Sequence, residues 1–133
     1  EQQWVKGSAR IFERLSQVSP EIYVLLGTPQ LGINGPACLL RSSASIDAMS
    51  SDCLGTKTLE VSQRGRGDLQ LASEKYSRVE LLDFNEFVCP GGRCSAITRD
   101  GMVVFRDSQH LTDTFVRSLL NQVLQRYPQL RSE

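Results

Sequence analysis

Two short apolar runs constrain this chain more than any other feature of its sequence. Ile22-Tyr23-Val24-Leu25-Leu26 is uninterrupted and stops at Gly27, and Val79-Glu80-Leu81-Leu82-Asp83 ends in an aspartate. Continuous runs of this length suit strands buried on both faces, as in a parallel sheet. Each follows a helical pattern. Residues 3–18 place Trp4, Ile11, Phe12, Leu15 and Val18 on one helical face ahead of Pro20. Residues 58–76 place Leu69, Ala72 and Tyr76 at helical spacing, with Gly65 and Gly67 weakening the first part. The order helix, strand, loop, helix, strand predicts an α/β fold with two parallel strands joined by a right-handed crossover. Two strands and a hairpin make a thin sheet. Its open edge is expected to be covered by a further part of the same domain or by another protomer.

The segments between these runs read mostly as connections. Residues 27–37 hold Gly27, Pro29, Gly32, Gly35 and Pro36 at the C-terminal end of the first strand, where ligands sit in open α/β sheets. They match neither G-x-G-x-x-G nor a P-loop, so no phosphate cradle is expected. Residues 38–57 are rich in serine (Ser42, Ser43, Ser45, Ser50, Ser51) and read as loop with one helical turn near 46–49. Residues 84–94 read as loop. Asp100-Gly101 between 95–98 and 102–105 is a two-residue hairpin signal. Val116, Leu119, Leu120, Val123, Leu124 and Tyr127 then follow i, i+3, i+4, i+7, i+8, i+11, an amphipathic helix that Pro128 stops. Thr112 is its expected N-cap, Asp113 suits the first turn, and Leu111 is placed to staple to Val116.

Charge excludes one class of function. Fifteen Lys and Arg balance fifteen Asp and Glu, so the chain lacks the basic excess of a nucleic-acid binder. The nearest basic cluster, Arg64-Gly65-Arg66, reads as solvated surface. No run of eighteen apolar residues exists to span a membrane, and no signal peptide is visible. The chain opens on Glu1 rather than Met, at the edge of a helical pattern, which suggests a piece of something longer.

Four cysteines allow three full pairings. Cys89-Pro90-Gly91-Gly92-Arg93-Cys94 closes a small turn-rich loop and favours a local bridge, which leaves Cys38 and Cys53 for each other; the alternative is free buried thiols. The spacings are not paired C-x-x-C, so neither a metal nor another cofactor is expected. An even count with one tight loop points to an oxidising, extracytoplasmic compartment.

The only histidine, His110, stands three positions after Asp107, between the apolar run 102–105 and the last helix. A carboxylate beside an imidazole fixes its tautomer and stabilises its charged form, the arrangement of a general base. Because Thr112 starts the helix, His110 should sit exposed in the connection. By residue type alone the signal is weak, since a histidine ahead of a helix is more often a surface or capping group.

The elements Cys89-Pro90-x-x-x-Cys94, Asp100-Gly101 with its strand, and Arg106-Asp107-x-x-His110-Leu111-Thr112 together resemble the last block of SGNH-type esterases and acyltransferases. More narrowly, they are similar to the SGNH domain fused to acyltransferase-3 membrane proteins of bacteria. Val24-Leu25-Leu26 leading to Thr28-Pro29, and Pro36-x-Cys38-Leu39-x-Arg41, extend the likeness over most of the chain. The resemblance implies a three-layer flavodoxin-like fold. It also implies a Ser-His-Asp triad in which His110 is the base and Asp107 orients it. The family's nucleophile lies in a Gly-Asp-Ser block, and its oxyanion hole uses that serine's backbone, a glycine and an asparagine. No Gly-Asp-Ser occurs here. Lys6-Gly7-Ser8-Ala9 lies in a helical pattern, and nothing ties Asn34 or Asn85 to the oxyanion role. Residues 1–133 are therefore expected to be the C-terminal part of one SGNH-like domain whose serine-bearing part is missing.

The resemblance implies O-acylation or deacylation of a cell-envelope glycan outside the cytoplasm. The acyl group would come from a membrane acyltransferase domain tethering the parent protein to the inner or plasma membrane. The competing expectation, supported by the absent nucleophile, is a non-catalytic carbohydrate-binding or accessory module, a pseudoenzyme.

Overall fold

The structure, a computed structural model, describes residues 2–43, 45–55 and 59–131. The backbone divides into two compact units, Glu1–Thr28 with Glu60–Phe84, and Pro29–Leu59 with Asn85–Glu133.

The first unit carries the α/β elements that the apolar runs dictate. Helix α1 (Gln2–Ser16) leads into β1 (Ile22–Leu25), and a later helix, α4 (Leu59–Ser73), leads into β2 (Val79–Leu82). The strands pair in parallel, with Ile22 opposite Val79 and Leu25 opposite Leu82. Among the described residues the sheet has these two strands. Phe12 of α1, Ile22 and Leu26 at β1, Ala72 of α4 and Leu82 are buried, and Phe12 meets Tyr76 edge to face at 6.2 Å. Arg78 donates to the Ser16 carbonyl at 2.7 Å, tying the end of α1 to the start of β2. Arg66 pairs with Asp83 at 2.7 Å, while the Arg64 side chain falls outside the described set.

The apolar face expected on the first helix is mostly uncovered. Trp4 is 74% exposed, Ile11 57% and Val18 81%, and only Phe12 of that stripe is buried. The stripe is hydrophobic at the right spacing, but a two-stranded sheet is too narrow to cover it.

The second unit contains more helix than expected: a full helix where residues 27–37 and those after them read as connection, and a longer one where a single turn near 46–49 was expected. Helix α2 spans Gly35–Arg41 and α3 spans Ile46–Asp52. Asn34 caps α2 by accepting from Ala37 N at 3.0 Å, and Pro36 occupies the first turn, where its missing N–H costs nothing. Ser45 caps α3 by accepting from Ala48 N at 3.1 Å. The Gly-Pro pair and Ser45 are thus helix-start chemistry rather than loop. Residues 44 and 56–58, inside the expected loop and at the head of the expected helix 58–76, lie outside the described residues.

A short helix, α5 (Asn85–Val88), and a 3-10 turn at Pro90–Gly92 occupy the expected cysteine loop. The Asp100-Gly101 turn forms with Gly101 at φ 88°, and its arms join through Thr98 N to Met102 O and Val104 N to Ala96 O, both 2.9 Å. These are isolated bridges rather than a ladder. The C-terminal pattern folds as two helices, α6 (Asp113–Ser118) and α7 (Leu120–Arg126), broken at Leu119. Leu119 is buried and Val123 packs against the core, but Val116 and Leu120 face outward.

The core of this unit gathers around Phe105 and Leu31, both fully buried, with Val104, Phe115 and all four cysteines. Gly55 is required where it stands: a Cβ there would lie 2.7 Å from the Leu31 carbonyl oxygen, while Gly55 N donates to Cys94 O at 2.7 Å. The disulfides are Cys38–Cys53 and Cys89–Cys94. The first joins α2 to the end of α3. Sequence separations of 15 and 5 correspond, by loop-closure entropy, to about 3 and about 2 kcal/mol. Paired alanine variants measured by urea unfolding should therefore lose more stability at Cys38/Cys53 than at Cys89/Cys94. The reverse order would remove loop closure as the main contribution.

Candidate active site

The candidate site is a turn built between two short paired segments. Phe105 pairs with Leu111 in antiparallel fashion, Arg106 N donates to His110 O at 2.9 Å, and Thr112 N donates to Val104 O at 2.9 Å. The fully buried Phe105 ring fixes the entry of the turn in the core. Thr112 fixes the exit. Its hydroxyl donates to Val103 O at 2.6 Å and accepts from Phe115 N at 3.2 Å, so one side chain caps α6 and ties the helix start to the preceding segment. From the other side, Leu31 N and Gly32 N donate to Ser108 O at 2.9 and 3.2 Å. Gly32 has φ 75°, the left-handed region that glycine enters without cost.

Inside this frame Asp107 binds both backbone and ring. Its Oδ1 accepts from Gln109 N and His110 N, each at 2.7 Å. Its Oδ2 lies 2.7 Å from His110 Nδ1. A carboxylate only accepts, so Nδ1 carries the proton and the lone pair of a neutral ring sits on Nε2. The i, i+2, i+3 spacing matters here. The turn that brings two amide N–H groups to one oxygen also brings the imidazole to the other.

The His110 side chain is 63% exposed and the Asp107 side chain 40%. Arg106 Nε stands 4.0 Å from Asp107 Oδ2, a solvent-screened contact that contributes little. The His110 amide, then the Gln109 amide, then the His110 ring hold the Asp107 carboxyl down at about 2, against an ordinary 3.8. With the folded value depressed, the carboxylate's support of the turn is complete above the ordinary value. It is lost as pH falls through about 2. At neutral pH Asp107 is an anion with both oxygens engaged.

The other sequence candidates fall elsewhere. Ser8 lies within α1, so Lys6-Gly7-Ser8-Ala9 follows no strand. Asn34 is spent on the α2 cap. Asn85 starts α5 and is buried. Among the described residues no group of acidic, cysteine or histidine side chains is arranged to hold a metal. Sequence reasoning missed the clamp of Leu31 and Gly32 on Ser108. Backbone bonds spanning more than seventy positions leave no pattern in side-chain types, and Gly32 was the sole trace.

A family model described as the SGNH domain fused to AT3 domains matches residues 7–125. No curated protein and no solved structure matches the chain.

Proposed function

From the premise that this chain belongs to the family of SGNH domains fused to AT3 domains, we propose that it serves acyl-ester transfer or hydrolysis, with Asp107 and His110 as two members of a Ser-His-Asp triad. The observation that carries this reading is the 2.7 Å contact between Asp107 Oδ2 and His110 Nδ1, in a turn that leaves the ring exposed to a substrate.

His110 Nε2 takes the proton of a serine hydroxyl as its oxygen attacks the acyl carbonyl. The tetrahedral intermediate collapses when the imidazolium returns that proton to the departing alcohol oxygen, leaving the acyl group on serine. His110 then deprotonates a second hydroxyl, of water or of a sugar, which takes the acyl group, and the imidazolium returns that proton to the serine oxygen as it leaves. Asp107 stays ionised throughout, stabilising the imidazolium and holding its orientation.

The serine belongs to a part of the parent protein outside residues 1–133, because no Gly-Asp-Ser occurs among them. That part would also complete a three-layer flavodoxin-like sheet. The two-stranded sheet and the uncovered Trp4, Ile11 and Val18 support this, since both need a packing partner. The partners are thus the rest of the SGNH domain or another protomer, the membrane-embedded acyltransferase domain as acyl source, and a cell-envelope glycan as acceptor. Two disulfides support an extracytoplasmic location. Among the described residues no helix is long and apolar enough to cross a membrane.

The absent Gly-Asp-Ser favours a second reading, a non-catalytic carbohydrate-binding or accessory module. Digestion and mass spectrometry of the intact parent protein after brief exposure to an activated acetyl ester separates the two. The triad reading expects one acetylated serine outside residues 1–133. A protein that acquires no acetyl-serine would favour the accessory module.

A further inference from the structure

The second unit carries an open cavity of about 650 Å³ that shares no lining residue with the Asp107–His110 turn. This size falls within the range of small-molecule sites. Phe87, Val88, Ile97, Val104 and Phe115 give it an apolar body, and four of these five are buried. Arg93 and Arg99 stand among the lining residues from opposite sources, one in the Cys89–Cys94 loop and one at the Asp100-Gly101 turn.

The polar inventory of the lining decides which ligand fits. Each of its hydroxyls already makes at least one hydrogen bond within the protein. Ser50 donates to Asp47 O at 3.0 Å, Ser51 to Ala48 O at 3.1 Å, and Ser95 Oγ accepts from Ile97 N at 3.3 Å. Thr98 is bonded to Asp100 and Met102. The lining contains no acidic residue. The nearby carboxylates are committed elsewhere, Asp100 to the Thr98 hydroxyl and Glu86 to Gly91 N. Among the described residues the two guanidinium groups have no ion-pair partner. The charged groups of the lining are therefore both cationic, and a guanidinium fork matches a carboxylate geometrically.

We propose that this cavity binds a small amphipathic carboxylate, its apolar part against Phe87 and Phe115 and its head group on Arg93 or Arg99. The Cys89–Cys94 bridge holds the loop that presents Arg93. The inference stands apart from the triad reading, and either can fail without the other.

Isothermal titration calorimetry with octanoate, octan-1-ol and sulfate tests it. Octanoate should saturate a single site, and octan-1-ol and sulfate should each bind about tenfold more weakly or worse, because each lacks one half of the recognition. Arg93→Gln with Arg99→Gln changes two exposed side chains. It should leave thermal stability unchanged, weaken octanoate about tenfold and leave octan-1-ol as it was. Phe87→Ala should weaken octanoate and octan-1-ol together. Absent octanoate binding, equal affinity for octan-1-ol, or wild-type octanoate affinity in the double variant would overturn the proposal. Binding to anionic lipid vesicles that the two Arg changes abolish, without octanoate binding, would assign the arginines to a lipid surface and overturn it too.

Discussion

Replacing His110 by alanine in the intact parent protein is expected to lower kcat on an activated acetyl ester by on the order of 10⁶-fold, with little change in KM. The magnitude follows from the role. Without an acceptor for its proton, a serine hydroxyl is almost entirely un-ionised at neutral pH and attacks poorly. No other histidine exists in the chain to substitute. The change should cost little stability, because the ring is largely exposed and its main partner is Asp107. A loss of activity without a loss of folding is therefore the expected signature, checked by comparing steady-state rates with the thermal midpoint. A variant that keeps full activity would remove His110 from the chemistry.

Asp107→Asn should have the second largest effect, on the order of 10⁴-fold in kcat. The substitution is nearly isosteric, and an amide oxygen can still accept from the Gln109 and His110 amides that Oδ1 now binds. The turn should persist. The other position becomes an NH2 donor facing His110 Nδ1, so the ring must turn Nδ1 into an acceptor and move its proton to Nε2, the wrong nitrogen for a base. Asp107→Ala should cost similar activity but also loosen the turn, since both backbone bonds vanish. Similar kinetics for the two variants with different amide protection at Gln109 and His110 would separate orientation from folding. If Asp107→Asn retained most of the activity, the carboxylate would be a turn-former only.

How much of this was legible in the sequence depended on the range of the interactions. The two parallel strands were readable because continuous apolar runs after helical patterns leave few alternatives, and Val79 does pair with Ile22. The Thr112 cap and the exposed His110 were readable because both follow from local spacing. Helix α2 was not, and of α3 only the first turn, near 46–49, was. Gly35-Pro36 reads equally as loop punctuation and as the first turn of a helix, and only the Asn34 cap distinguishes them. Each helix is short and held by the Cys38–Cys53 bridge, with Phe105 close to α2 at Gly35, not by a long periodic stripe. The break at Leu119 was invisible for a related reason. The stripe continues through it in sequence, but the core has room for Leu119 and Val123 while Val116 and Leu120 remain outside. The Arg-lined cavity gathers residues from four separate segments and had no sequence signature at all.

The claim that Asp107 and His110 act on a serine supplied from outside these residues is tested most directly by fluorophosphonate labelling of the intact parent protein, with the site mapped by mass spectrometry. The expected result is one labelled serine beyond residues 1–133, reacting far more slowly in His110→Ala. Labelling of a serine within residues 1–133, or a labelling rate indifferent to His110, would contradict the account.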